Sequence, residues 1–183
     1  MQNNRSGNSP IIPAAGDRRL PVDLGALDIR IARDGAWFYR GSPIGRLPLV
    51  KLFASVLRRE ADGCYWLVTP AERGRVEVED VPFLAVELTV AGEGRDQLLI
   101  FRTNLDDIVT AGPDHPLRIE TAANGEPAPY ILVRGGLEAR LARPVFYQLV
   151  DLGAEEQIAG AGRFGVWSSG AFFGLGDPGP DWR

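Results

Sequence analysis

Asp28-Ile29-Arg30-Ile31-Ala32-Arg33-Asp34-Gly35-Ala36-Trp37-Phe38-Tyr39-Arg40 is the stretch on which the fold turns. Ile29 and Ile31 alternate with charged residues, the period of a half-buried strand. Asp34-Gly35 is a hairpin signal: a type I′ turn needs positive φ at both central residues, which these two tolerate. Ala36 to Arg40 reads as the returning strand, dense in aromatic residues that suit a pleated surface. Gly41-Ser42-Pro43 breaks that strand. Pro48 suits a first helical turn, where its missing N–H would have no partner. Leu49, Val50, Phe53, Ala54 and Leu57 then form an apolar helical stripe, with Arg58, Arg59 and Glu60 near the helix end.

The same order of parts recurs further on. From Pro116, Leu117-Arg118-Ile119 matches Ile29-Arg30-Ile31, and Asn124-Gly125 marks a turn in a longer loop. Tyr130 to Gly135 returns, with Arg134-Gly135 standing where Arg40-Gly41 stood. Pro144 matches Pro48, and behind it Val145, Phe146, Leu149 and Val150 fall where Leu49, Val50, Phe53 and Ala54 fell. The register slips only at turns, where insertions cost little. Internal duplication followed by loop drift would leave this pattern; chance recurrence of common parts is the alternative.

Tyr65 to Thr69 and Phe164 to Ser168 read as strands after the two helices. Between the copies, Arg75 to Glu79, Phe83 to Val90 and Gln97 to Thr103 are further strands, the last two joined by a turn at Ala91-Gly92-Glu93-Gly94. The expectation is an α+β protein: two similar hairpin–helix–strand motifs with additional antiparallel strands between them, not a doubly wound parallel sheet. Its organisation reads as a flexible arm over 1–22, the first repeat plus antiparallel strands over 23–110, the second repeat over 111–173, and a flexible tail over 174–183.

Composition narrows the function. The 183 residues are 45% hydrophobic and 24% charged, enough to bury a core. A net charge of -4 leaves no basic surplus for a polyphosphate backbone, so general nucleic-acid binding is not expected. One cysteine and one histidine exclude a disulfide framework, a Cys-rich zinc module and a multi-His metal site within one chain. No run approaches the roughly twenty apolar residues that cross a bilayer, and Met1 to Pro21 carries no signal-peptide core. With a lone thiol, the expected location is cytoplasmic and away from membranes.

Candidate chemistry is sparse. Asp106, Asp107, Asp114 and His115 form the one dense acid-plus-imidazole cluster, which could hold a hard cation or pair a base with an orienting carboxylate; solvated, turn-capping acids are the plainer reading. Cys64 reads as a small buried residue or a nucleophile needing a depressed pKa, and Ser168-Ser169-Gly170 lacks a nucleophile elbow. Gly41 to Arg46 resembles an anion-cradling loop before a helix but lacks a Lys-Ser/Thr pair. Gly135-Gly136, Arg140 and Arg143 hold the comparable place in the second copy; these arginines could equally pair with the chain's carboxylates. Trp37, Tyr39, Trp66 and Trp167 read either as core or as the lining of a groove with arginine as polar anchor. The candidate ligand-binding residues are therefore Trp37, Tyr39, Arg40, Arg46, Arg134 and Arg143. No catalytic residue, metal ligand or cofactor is assigned.

Several runs carry a family resemblance. Asp28 to Gly35, Trp37 to Arg46, Arg58-Arg59-Glu60, Leu67 to Pro70, Arg102 to Asn104, His115 to Arg118, Arg134 to Leu137 and Gly165 to Ser168 resemble, in order, the bacterial DUF1285 family. The resemblance implies an α/β fold of repeated structural motifs and a suggested role in signal transduction, with no reaction or cofactor to carry over. The leading expectation is a non-enzymatic binding or regulatory protein, sensing a small anionic ligand or a protein partner in a cleft between the repeats. A metal-dependent hydrolase using Asp106, Asp107, Asp114 and His115 is the alternative, and assembly through β-edge pairing is a third.

Overall fold

The structure is a computed structural model describing residues 20–122, 124–158 and 160–176. The expected arm, up to residue 19, and the tail from residue 177 lie outside the described residues. The chain is mostly sheet with two short helices, within the α+β class.

The first sheet is built from β1 (Val22–Ile31), β2 (Trp37–Tyr39), β3 (Ser42–Pro43), β4 (Leu57–Arg59), β5 (Tyr65–Val68) and β6 (Glu72–Val78), with α1 (Leu47–Ser55) between β3 and β4. Its order is β3-β2-β1-β6-β5-β4. The second holds β7 (Phe83–Ala91), β8 (Leu98–Thr103), β9 (Ile108–Thr110), β10 (Leu117–Thr121), β11 (Pro127–Arg134) and β12 (Leu137–Leu141), in the order β10-β11-β12-β7-β8-β9. After α2 (Arg143–Asp151), β13 (Ala154–Ile158), β14 (Ala161–Ser168) and β15 (Ala171–Gly174) form a three-stranded sheet.

Three antiparallel strands, a helix and three more strands thus occur twice, on either side of β7–β9. The pairing differs between the two. In the first, β1 and β6 join in parallel and close one sheet; in the second, β12 pairs in parallel with β7, leaving β13–β15 separate. These parallel joints are not among the antiparallel hairpins and strands expected; a parallel pair needs a long crossover, which α1 with β4 and β5 supplies between β1 and β6. The strands over 83–110, grouped in sequence with the first repeat, share their sheet with β10–β12.

The turns also differ from expectation. At Asp34-Gly35 only Gly35 has positive φ (81°), and its N–H donates to Ala32 O at 2.9 Å. This is a three-residue loop with a glycine bulge, not a type I′ turn. Asp34 Oδ1 accepts the Ala36 N–H at 3.0 Å, a local bond that suits the bulged loop. Asn124-Gly125 makes the same turn between β10 and β11, with no longer loop: Gly125 N–H donates to Ala122 O at 2.8 Å. The type I′ dihedrals fall instead at Arg40-Gly41 (φ 49° and 78°), so that pair turns the chain into β3 rather than ending the strand region.

Helix α1 is shorter than its stripe suggested. It stops at Ser55, and Leu57, fully buried, pairs with Leu67 in β4 instead of completing the helix. Arg58 therefore is not a helical residue; its guanidinium donates to the carbonyls of Ser55 (3.2 Å) and Leu57 (2.7 Å), where helical N–H groups no longer reach. Arg59 stands opposite Tyr65.

One continuous apolar core runs through both large sheets and both helices, with Ile31, Leu57, Phe83, Phe101, Ile131 and Leu149 at its centre. Among the described residues its two buried polar side chains are spent on structure. Thr103 Oγ1 accepts the N–H groups of Leu105 and Asp107. Ser168 Oγ accepts from Leu99 N–H at 2.9 Å and donates to Ala111 O at 2.7 Å, tying β14 to β8. Among the described residues no helix is long and apolar enough to cross a membrane.

Candidate functional site

The candidate site is a cleft of about 600 Å³ where α2 begins. Val145, Phe146 and Leu149 bury one stripe of α2, and Ala142 N–H donates to Ala85 O at 2.9 Å, seating the helix start beside β7. Buried Leu141 and Phe146 form the floor, Pro127 and Pro129 of β11 one wall, and Leu84 and half-exposed Tyr147 the rest of the apolar surface. Arg33, Asp34, Glu126, Arg140 and Arg143 bring charge to it. Among the described residues no His, Cys, Ser, Thr or Lys lines the cleft.

Arg33 and Asp34 arrive from a different sheet. The tip of the β1–β2 hairpin is held against β7 by Asn104, whose Nδ2 donates to Gly35 O (3.2 Å) while its Oδ1 accepts Leu84 N–H (3.0 Å). A Cβ on Gly35 would stand 2.6 Å from Asn104 Nδ2, so the contact needs glycine. Arg33 N–H donates to Glu79 Oε2 at 3.0 Å.

Beside the cleft a polar row crosses the second sheet. Arg118, Tyr130, Arg140 and Leu84 stand opposite one another on β10, β11, β12 and β7 and share a face. Asp80 receives Arg140 at 2.9 Å and the Tyr130 hydroxyl at 3.0 Å. Glu138 takes a bidentate bond from Arg118 (2.5 and 2.8 Å), and Arg59 of the first sheet lies 3.8 Å from it. Those bonds to Glu138 push the Arg118 guanidinium pKa further up. Burial raises the Tyr65 hydroxyl, and burial followed by the hydrogen bond to Asp80 raises Tyr130.

A pH dependence follows from the two tyrosines. Their folded pKa values lie above the ordinary value of about 10, so the folded protein keeps protons that the unfolded chain releases. The stability they contribute is present below about pH 10 and is lost as pH rises through the folded values. Melting temperature should fall above pH 10, and a Tyr65→Phe/Tyr130→Phe variant should show a shallower fall; an unchanged slope would count against this.

Of the six candidate ligand-binding residues only Arg143 lines the cleft, together with Arg140, which the sequence sets beside it in the second copy; Arg143 is exposed and stands 3.6 Å from Glu126. Trp37 is buried and stacked on Phe53, with ring centroids 6.4 Å apart. Tyr39 is exposed beneath Arg40, which lies 3.4 Å from Asp28. Arg46 is exposed at the N-cap of α1. Arg134 bonds Asp107 (2.7 Å) and Ala54 O (3.0 Å) and lies over Phe83, joining α1 to the second sheet.

The acidic cluster does not converge. Asp106 pairs with Lys51 (2.5 Å) and Arg102 (3.1 Å), bonds that hold its carboxyl below the usual range. Asp107 pairs with Arg134, and His115 Nδ1 lies 3.0 Å from Leu132 O. Among the described residues no three His, Cys, Asp or Glu side chains gather as a metal group. Cys64 is half-buried.

Sequence reasoning missed Arg33, the two prolines and the α2 aromatics at the cleft. Pro127-Ala128-Pro129 and the turn at Asp34 were visible signals; that they face one another was not.

Residues 82–175 match the family model "Protein of unknown function (DUF1285), C-terminal domain", and residues 17–81 match "Domain of unknown function (DUF1285), N-terminal domain". A DUF1285 family protein from Silicibacter pomeroyi DSS-3 is similar in structure, with TM-score 0.80, 50% identity, and 85% of this chain and 83% of that chain covered. Another, from Shewanella baltica OS155, has TM-score 0.54 and 29% identity, covering 68% of this chain and 91% of that one. No curated protein matches the chain.

Proposed function

From a chain that belongs to the DUF1285 family, whose models describe proteins of unknown function, we propose a binding module that takes a small anionic ligand in the cleft at the start of α2. The observation that carries this reading is the joint presence of an apolar floor and exposed guanidinium groups, Arg33 and Arg143, around a space of about 600 Å³. That volume lies in the range of small-molecule sites, which are mostly apolar with a few polar groups to orient the ligand. The absence of acids from the first turn of α2 adds to it, because the N-terminal dipole then favours an incoming anion.

The role we assign is regulatory rather than catalytic: binding is the signal, in keeping with the signal transduction suggested for the family. We read the twice-occurring strand–helix–strand order as duplication, supported by the matching turns at Gly35 and Gly125 and the matching prolines Pro48 and Pro144. The cleft joins the hairpin tip of the first copy to the helix of the second.

Thermal-shift titration with inorganic phosphate, benzoate and phenyl phosphate tests the reading. A ligand at a hundred times its Kd adds about 2.7 kcal/mol, a rise of roughly 5–10 °C for a chain of this size. Arg143→Ala should lose most of that rise. No response to any of the three would remove the ligand reading in favour of a protein partner.

A further inference from the structure

We infer that the ligand is an anion carried on a flat aromatic body, its charge taken by Arg33 across the domain boundary, so that occupancy ties the N-terminal hairpin to the C-terminal domain. This rests on the anion-binding reading above and narrows it.

The three cleft guanidinium groups differ in what already holds them. Arg140 is bonded by Asp80 at 2.9 Å, and Arg143 has Glu126 at 3.6 Å. Arg33 is exposed, and among the described residues no carboxylate reaches its side chain, although Glu79 fixes its backbone. An arginine with no internal partner gives up only water to accept a bidentate carboxylate or phosphate. Arg33 belongs to the segment matched by the N-terminal family model, whereas every apolar residue of the cleft belongs to the C-terminal one. Asn104, bonded to Gly35 on one side and Leu84 on the other, sets the distance between them.

The walls choose the body. Pro129, Leu141 and Phe146 are buried, while Pro127 and Tyr147 present exposed apolar faces to the cleft. A bare inorganic anion at Arg33 would leave them wet, while an aromatic ring would cover them.

Calorimetric titration with phenyl phosphate and with inorganic phosphate, on the wild-type chain, Arg33→Ala and Arg33→Lys, tests this. The expectation is phenyl phosphate binding at least about tenfold tighter than phosphate, a loss of about tenfold or more in Arg33→Ala, and a smaller loss in Arg33→Lys. Amide exchange at Gly35 and Ala36 should slow on binding. Among the described residues the Arg33 side chain has no bonding partner, so the alanine variant should melt with the wild type when no probe is present. Equal affinity for the two probes would overturn the aromatic body and leave anion binding standing. Wild-type affinity in Arg33→Ala, or unchanged hairpin exchange, would overturn the cross-domain contact. Failure of both probes to bind would overturn the binding reading itself and this inference with it.

Discussion

Phe83→Ala should cost about 3–5 kcal/mol of folding stability, the range for truncating a buried aromatic. Phe83 is 1% exposed and opens β7, where it stands opposite Ala139 in the parallel joint with β12. The Arg134 guanidinium lies 4.8 Å from its ring centroid and bonds the Ala54 carbonyl of α1. Truncation leaves a cavity where the two large sheets and α1 meet, and it removes the apolar surface under Arg134. The backbone there pairs with β12 on one side and Asn104 bonds the neighbouring Leu84 on the other, so little collapse can offset the void. Typical stabilities are only about 5–15 kcal/mol, so roughly a fifth or more of the total is at stake. Urea unfolding should show a lower midpoint with the slope preserved, and Phe83→Leu should lose less than about 1.5 kcal/mol. A Phe83→Ala loss under about 1 kcal/mol would mean that this joint is not packed as described.

Gly165→Ala is the second large effect, and its cause is steric. A Cβ on Gly165 would fall 2.2 Å from the carbonyl oxygen of Phe173 and 2.5 Å from Phe172 Cζ. The first of these is backbone and belongs to the paired strand β15, so it cannot turn aside as a side chain would. Gly165 also pairs with Ala154 of β13, so β14 is gripped from both edges. Relief requires prying β15 from β14, at about 3 kcal/mol, the upper part of the usual overpacking range. Melting should drop by roughly 6–12 °C for a chain of this length. Trp167, on the same strand, would report the loosening by fluorescence. Gly45→Ala is the control: nothing lies within 4 Å of its Cβ position, so its change should stay within about 1 kcal/mol.

Much of the fold was legible because it is local. Alternation at Ile29 and Ile31, the stripe Val145, Phe146 and Leu149, and the prolines at the second position of each helix announce elements whose physics spans a few residues. The end of α1 was misjudged because Leu57 fits a helical stripe and a buried strand equally well. Its pairing with Leu67, ten residues along the chain, settled it as strand. The type I′ turn was assigned to Asp34-Gly35 because aspartate tolerates positive φ; the hairpin met its twist with one bulged glycine instead.

The candidate site was less legible, for a related reason. Arg134 and Arg143 look alike in sequence, yet one is spent joining α1 to the second sheet and the other borders open space. Arg33 drew no notice, because a charged residue before a turn is ordinary until the turn is seen against another strand.

Residue order alone therefore determined that this chain makes short strands, two short helices and glycine-dependent turns. Tertiary structure decided that β1 joins β6 and β12 joins β7, that Asp106 and Asp107 go to separate cations, and that Arg33 meets α2 across a cleft. Periodicity and turn chemistry are encoded within a few residues. Which surfaces then meet depends on burying apolar area from distant segments at once, and that sum exists only after the chain has folded.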